Sequence, residues 1–151
     1  MAFSVRGFAE ESGADATPVP AAVVAVQTGS IKVQFSKLRN TTGQLVVALY
    51  TSKDGFPVKL AKAAQKKIVQ ANDQKCEVVF DAIAYGTYAV SVFHDENSNG
   101  KLDTVFLIGI PKEGVGCSNN AKGHFGPPSF ADSKFILDQS EVDLNIELHY
   151  L

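Results

Sequence analysis

The stretch "EVDLNIELHY", residues 141 to 150, sets Val142, Leu144, Ile146, Leu148 and Tyr150 in alternation with Asp143, Asn145, Glu147 and His149. A period of two marks a strand with one face on a core and the other in water, because successive side chains leave an extended backbone on opposite sides. Working back along the chain, the same period recurs in Ile31, Val33 and Phe35, in Leu45, Val47 and Leu49, in Cys76, Val78 and Phe80, and in Tyr88, Val90 and Val92. Turn-forming clusters separate these runs: "NTTG" at 40 to 43, "KDGFP" at 53 to 57, "AND" at 71 to 73 and "YG" at 85 to 86. Short half-buried strands must close over one another to hide one face apiece. No helix follows a strand in the repeated order that a parallel βαβ sheet requires. The reading is all-β: an antiparallel β-sandwich of about seven strands, forming a single domain over residues 29 to 151.

One segment departs from the pattern. "VKLAKAAQKKIV", 58 to 69, spaces Leu60, Ala61, Ala64 and Ile68 as a short helix would, and equally fits a loop entering a strand near Lys66 to Ala71. Residues 1 to 28 show no sustained period and carry Gly13, Pro18 and Pro20 among small and acidic residues, so they read as a flexible leader or linker with a short strand at Ala22 to Val26.

Composition excludes several function classes. Lys+Arg 14 against Asp+Glu 16, with no basic stripe, gives no electrostatic footprint for nucleic acid. The longest apolar run, Ala21 to Val26, is far short of the roughly 20 residues that span a bilayer. Near the N-terminus Arg6 is outnumbered by Glu10, Glu11 and Asp15, which is not the pattern of a secretory signal. Cys76 and Cys117 allow one disulfide, but a chain of 151 residues requires none, and Cys76 reads as a small core residue on a strand.

The segment with the clearest chemistry is "HDENSNGKLD", 94 to 103. Counting from Asp95 as position 1, side-chain oxygens fall at Asp95, Asn97, Asn99 and Asp103, positions 1, 3, 5 and 9, with Gly100 at 6 and the Lys101 carbonyl at 7. Ca²⁺ takes six to eight oxygens at about 2.3 to 2.6 Å, and alternate residues around a sharp glycine turn converge on one point. Position 12, where a bidentate glutamate is expected, holds Phe106, so Glu113, water or a main-chain carbonyl would complete the shell. With two carboxylates the expected affinity is on the order of 10⁻⁵ to 10⁻³ M. Asn, Asp, Ser and Gly also dominate ordinary polar turns, which accounts for these residue types but not for their register.

Just downstream, "FLIGIPKEGVGCSNNAKGHFGPPSF", 106 to 130, is rich in Gly and Pro and too long for a simple hairpin; it reads either as a functional loop or as a wrap with Phe106, Ile108, Phe125 and Phe130 plugging the end of the sandwich. "GVGCSN" is not a dinucleotide fingerprint, because Asn119 replaces the third glycine and no βαβ unit surrounds it. His94, His124 and Cys117 are the alternative chemical set, for a small hydrolase or thiol enzyme, although no G-x-S-x-G, H-E-x-x-H or P-loop accompanies them. His149 lies on the polar face of the last strand and reads as solvated.

Together, "YGTYAVSVFHDENSNGKLDT", "GIPKEGVGCSNNAKGHFGPPSF" and "VDLNIELHY" resemble the bacterial family of domain of unknown function 2141, over roughly residues 30 to 150. That resemblance implies small exported proteins, and so a periplasmic or extracellular setting, rather than a reaction. "YGTYAVSVFHDENSNGKLD" is also similar to the calcium-bearing B-type repeats of bacterial surface adhesins, which implies Asp95, Asn97, Asn99, Lys101 and Asp103 as ligands. The Gly86 and Tyr88 pattern is similar to transthyretin (prealbumin)-like sandwiches, in which that tyrosine packs into the core. The expectation is a transthyretin-like β-sandwich binding module with a structural Ca²⁺ and no catalysis of its own. Its partner would be a protein or small-molecule ligand, and an apolar small-molecule carrier is a further alternative.

Overall fold

The computed structural model describes residues 25–72, 76–104 and 109–151. Eight strands are described: β1 (Thr28–Ser36), β2 (Gln44–Tyr50), β3 (Gln65–Gln70), β4 (Cys76–Ala84), β5 (Gly86–Asp95), β6 (Val115–Cys117), β7 (Phe135–Leu137) and β8 (Glu141–Glu147). A three-stranded sheet runs β4-β1-β8, and a five-stranded sheet runs β3-β2-β5-β6 with β7 also on β5. The chain is an all-β sandwich. Every predicted alternating run lies in a strand or, at residues 148 to 150, continues from one. The 58 to 69 segment divides into a 3-10 turn at Leu60–Lys62 and the strand β3. Residues 22 to 24 of the expected strand at 22 to 26, and most of the expected leader, fall outside the described residues; Ala25 and Val26 lie inside them, exposed and not in a strand.

The period of two becomes burial directly. Ile31, Val33 and Phe35 of β1 are buried while Lys32 and Gln34 are half-buried, and Leu45, Val47, Leu49, Val78, Phe80, Tyr88, Val90, Val92 and Ile146 complete the core between the sheets. Tyr88 packs there as the transthyretin-like pattern implied, and its hydroxyl donates to the Ala84 carbonyl at 2.6 Å. Tyr85 alone separates β4 from β5, so the chain turns the corner from one sheet to the other in a single residue.

Two features differ from the sequence expectation. β8 runs parallel to β1, from Ser30 opposite Glu141 to Ser36 opposite Glu147, whereas all other strand pairs are antiparallel. Residues 138 to 140 carry the chain across from β7 in one sheet to β8 in the other, so no hairpin dictates its direction. Alternation is blind to this, because parallel and antiparallel pairs both send every second residue to the core.

Secondly, the central strands of the five-stranded sheet, β2 and β5, are buried on both faces. Val46, Ala48, Tyr50, Ala89, Ser91 and Phe93, which point away from the inter-sheet core, are all under 9 % exposed. The β2–β3 connection and a helical turn, α1 (Phe130–Ser133), pack on this face at Tyr50 and Ser91. Phe56 stands edge-on to Tyr50 with ring centroids 5.2 Å apart, and Phe130 edge-on to Phe56 at 5.8 Å. The Ser91 and Tyr50 hydroxyls both donate to the Pro57 carbonyl, at 2.9 and 3.3 Å.

Candidate functional site

Asp95 ends β5 and is 0 % exposed. Its carboxylate turns into the loop that follows: Oδ1 accepts the Asn99 N–H at 3.0 Å, and Oδ2 accepts the Gly100 N–H at 2.7 Å and the Gln44 amide at 2.9 Å. These bonds wrap the backbone around one side chain. The turn requires left-handed backbone at Ser98 (φ 54°) and Gly100 (φ 79°), which the glycine adopts without penalty. Asn97 Oδ1 accepts the Asn99 N–H at 3.3 Å and Asn99 Oδ1 accepts the Lys101 N–H at 3.0 Å, each side chain closing a local turn two residues on.

The amide NH₂ groups of Asn97 and Asn99 meet Asp103. Asn97 Nδ2 donates to Asp103 Oδ2 at 2.6 Å, and Asn99 Nδ2 to Oδ1 and Oδ2 at 3.0 and 3.1 Å. These bonds hold the Asp103 carboxyl below the usual aspartate range. Glu113 closes the loop from the opposite side: Oε2 accepts the Glu96 N–H at 3.0 Å and Oε1 the Asp103 N–H at 3.2 Å. It is 5 % exposed, and burial, reinforced by the nearby Asp103 and Asp95 charges, pushes its carboxyl up despite those two backbone bonds. The structure thus brings Asp95, Asn97, Asn99, Asp103 and Glu113 into one hydrogen-bonded loop, with Lys101 tied in through its N–H; Phe106 lies outside the described residues.

Among the described residues, no Lys or Arg forms an ion pair with Asp95, Asp103 or Glu113. Equally, no three His, Cys, Asp or Glu side chains among them are grouped to hold a metal ion. A cation would rest on one or two carboxylates supplemented by amide and carbonyl oxygens, an all-oxygen set that suits a hard ion such as Ca²⁺ and not zinc. To contribute oxygen, Asn97 and Asn99 would turn their amides over, giving up the bonds that their Oδ1 atoms accept from the Asn99 and Lys101 N–H groups. An open pocket of about 520 Å³ adjoins, lined by Glu96, Asn97, Asp103, Thr104, Lys112 and Glu113.

Beside the loop stands a brace that sequence reasoning did not find. Arg39 grips Glu96 with two bonds of 2.7 Å, Asn40 adds a third at 3.0 Å, and the Arg39 guanidinium lies 4.6 Å from the Tyr150 ring centre. The Arg39 bonds hold the Glu96 carboxyl low. His94, 0 % exposed, donates from Nε2 to the Thr42 carbonyl at 2.6 Å, which leaves Nδ1 to accept the Tyr150 hydroxyl at 2.7 Å. These partners lie in three separate stretches of the chain, and no local motif marks them.

The alternative set does not assemble in the same way. Cys117 pairs with Ser91 across the sheet, so those two side chains share a face; His94, three residues beyond Ser91 on the same strand, leaves by the opposite face. Burial pushes the Cys117 thiol up to about 12, and the thiol is the poor nucleophile of the pair thiol and thiolate. No disulfide joins it to Cys76. His124 is solvent-exposed in the 121 to 129 loop. His149 is half-buried rather than solvated, because residues 148 to 150 leave β8 and bridge to Val115.

The 106 to 130 stretch also departs from expectation, since it contains β6 and a 3-10 turn (Ser118–Asn120). Phe130 packs on Phe56 as a plug would, but Phe125 is wholly exposed, because the tight turn at Gly123 and Gly126 directs it outward; Phe106 and Ile108 lie outside the described residues.

A family model described as "Uncharacterized protein conserved in bacteria (DUF2141)" matches residues 33–145. No curated protein and no solved structure matches the chain.

Proposed function

Because the chain belongs to the bacterial family whose model spans residues 33–145, we propose that it is a non-catalytic β-sandwich binding module of the bacterial periplasm or cell exterior, whose 95 to 103 loop takes up a structural Ca²⁺. The observation that carries this reading is a pair of buried carboxylates without an ion-pair partner among the described residues. Asp95 and Glu113, at 0 and 5 % exposed, lie in one loop with Asp103, and no cationic side chain among the described residues forms an ion pair with any of the three. Buried carboxylates are ordinarily paired, heavily hydrogen-bonded or metal-bound. Here hydrogen bonds rather than ion pairs hold them, with the Lys101 and Lys112 charges only near enough to help lower Asp103, and a divalent ion would add a direct cationic partner.

The ion would act as a clip. Asp95 fixes the exit of β5, and Glu113 ties that exit to the segment entering β6, so binding would stiffen the rim of the adjoining pocket without opening a new surface. The polar lining of that pocket favours a polar ligand over an apolar one.

Thermal melts in excess EDTA and in 1 mM Ca²⁺ test the reading. With an apparent Kd of about 10 μM the ion adds about 2.7 kcal/mol, a rise of roughly 5 to 10 °C. The Asp95→Ala, Asp103→Ala double variant should lose that shift. Coincident wild-type melts would overturn the calcium assignment.

A further inference from the structure

Phe125 is 106 % exposed, the largest apolar side chain among the described residues to stand fully in water. An isolated surface hydrophobe needs no explanation, but the loop that carries this one is built. Its ends are clamped. Asn119 Nδ2 donates to the carbonyls of Asp132 and Lys134 at 3.2 and 2.9 Å, the Ser118 hydroxyl to the Ser133 carbonyl at 2.5 Å, and Ser129 Oγ accepts the Asp132 N–H at 3.1 Å. Within the loop, Gly123 approaches the Gly126 carbonyl so closely that a Cβ would lie 1.7 Å from its oxygen. The tip is therefore a tight turn pinned at its base, which holds the backbone that presents the aromatic.

Its charge is one-sided. Within the 121 to 129 loop the ionisable side chains are Lys122 and His124, both exposed, and there is no Asp or Glu; at its base the exposed Asp132 and Lys134 offset each other. We propose that the 121 to 129 loop is a lipid-contacting tip, in which Phe125 enters the interfacial zone of an anionic bilayer while Lys122 and His124 face its headgroups. A protein interface of ordinary size takes roughly 800 Å² from each partner and rings its anchor with packed side chains. Gly123, Gly126, Pro127 and Pro128, the neighbours of Phe125, supply little of either. A bilayer asks only for a protruding apolar tip with a cation beside it, here Lys122. The biological setting rests on the envelope location proposed above, whereas the contact itself needs no calcium.

The chain has no tryptophan, so Phe125→Trp places the sole indole at the tip. In EDTA, its emission should shift to the blue and saturate as vesicles of mixed phosphatidylglycerol and phosphatidylcholine are added, and the shift should weaken with salt. In co-sedimentation with the same vesicles Phe125→Ala should bind roughly tenfold more weakly than the wild type, Lys122→Ala about fivefold more weakly, and Phe125→Leu nearly as well. All four variants should melt with the wild type, because these side chains are exposed. Unshifted emission at millimolar lipid, or equal sedimentation of Phe125→Ala and wild type, would overturn the proposal and favour a protein partner; an equal shift on pure phosphatidylcholine would overturn the role of the basic flanks. EDTA throughout keeps this result independent of whether the 95 to 103 loop binds Ca²⁺.

Discussion

At Glu113, burial and neighbouring charge act in the same direction, and this gives the loop a signature in pH. A carboxyl whose pKa is higher folded than unfolded favours folding in its protonated form; that contribution is whole below the unfolded-state value and is lost as pH rises through the folded-state value. In EDTA, therefore, the wild type should gain stability relative to Glu113→Gln as pH falls through the range just above the ordinary glutamate value. A difference in melting temperature that stays constant from neutral to acidic pH would contradict this. If Glu113 coordinates the ion, saturating Ca²⁺ lowers its pKa and the slope reverses, which separates a ligand from a side chain that only straps the loop. At this scale the sequence was informative where chemistry is local. Asp95, Asn97, Asn99 and Asp103 announce their turn by spacing, and the structure places them in one. Arg39, Thr42, Glu96 and Tyr150 meet only because the strands between them pair, and no residue in their own neighbourhoods predicts it.

The turn between β1 and β2 and the loop after β5 are one packed unit, and at Gly43 their backbones approach closely. Its φ is 77°, and a Cβ there would lie 2.2 Å from the Asp95 carbonyl oxygen and 2.7 Å from the Glu96 Cα, both backbone atoms that have no rotamer to yield. Gly100 has a similar φ of 79° but nothing within 4 Å of an added Cβ. Alanine at 100 should thus cost only its left-handed backbone strain, about 1 kcal/mol, while alanine at 43 adds overpacking and should cost about 3 kcal/mol. Denaturant melts of Gly43→Ala and Gly100→Ala compare the two directly, and equal losses would mean that the contact is not a constraint. Among the elements, the long alternating strands were legible because one face meets a core. β3 was ambiguous because its residues are mostly exposed: it is an edge strand, and Lys66 and Lys67 suit an edge that must not recruit another chain. β6 and β7, at three residues each, are too short to show a period.

Across the whole molecule, both cysteines are buried, Cys117 with a thiol pKa of about 12, so thiol chemistry should report global rather than local opening. At pH 8 the native protein should react with a disulfide reagent more than a thousandfold more slowly at Cys117 than the unfolded chain does, since both exposure and thiolate fraction are suppressed. Mass mapping after a timed pulse would check it, and rapid native labelling of Cys117 would show that the cover formed by α1 and the β2–β3 connection opens on its own. That cover was not legible in the sequence, because it depends on which loop lies over which sheet. The same global order has a temporal side. β1 lies between β4 and β8, and its parallel partner β8 follows all the other described strands in chain order. Until residues 141 to 147 emerge, one edge of β1 has no neighbour and the smaller sheet cannot close, so folding is dominated by contacts between distant parts of the chain and should fall toward the slow, millisecond-to-second regime of such topologies. The nascent chain is therefore obliged to wait, with the smaller sheet open, until β8 has emerged.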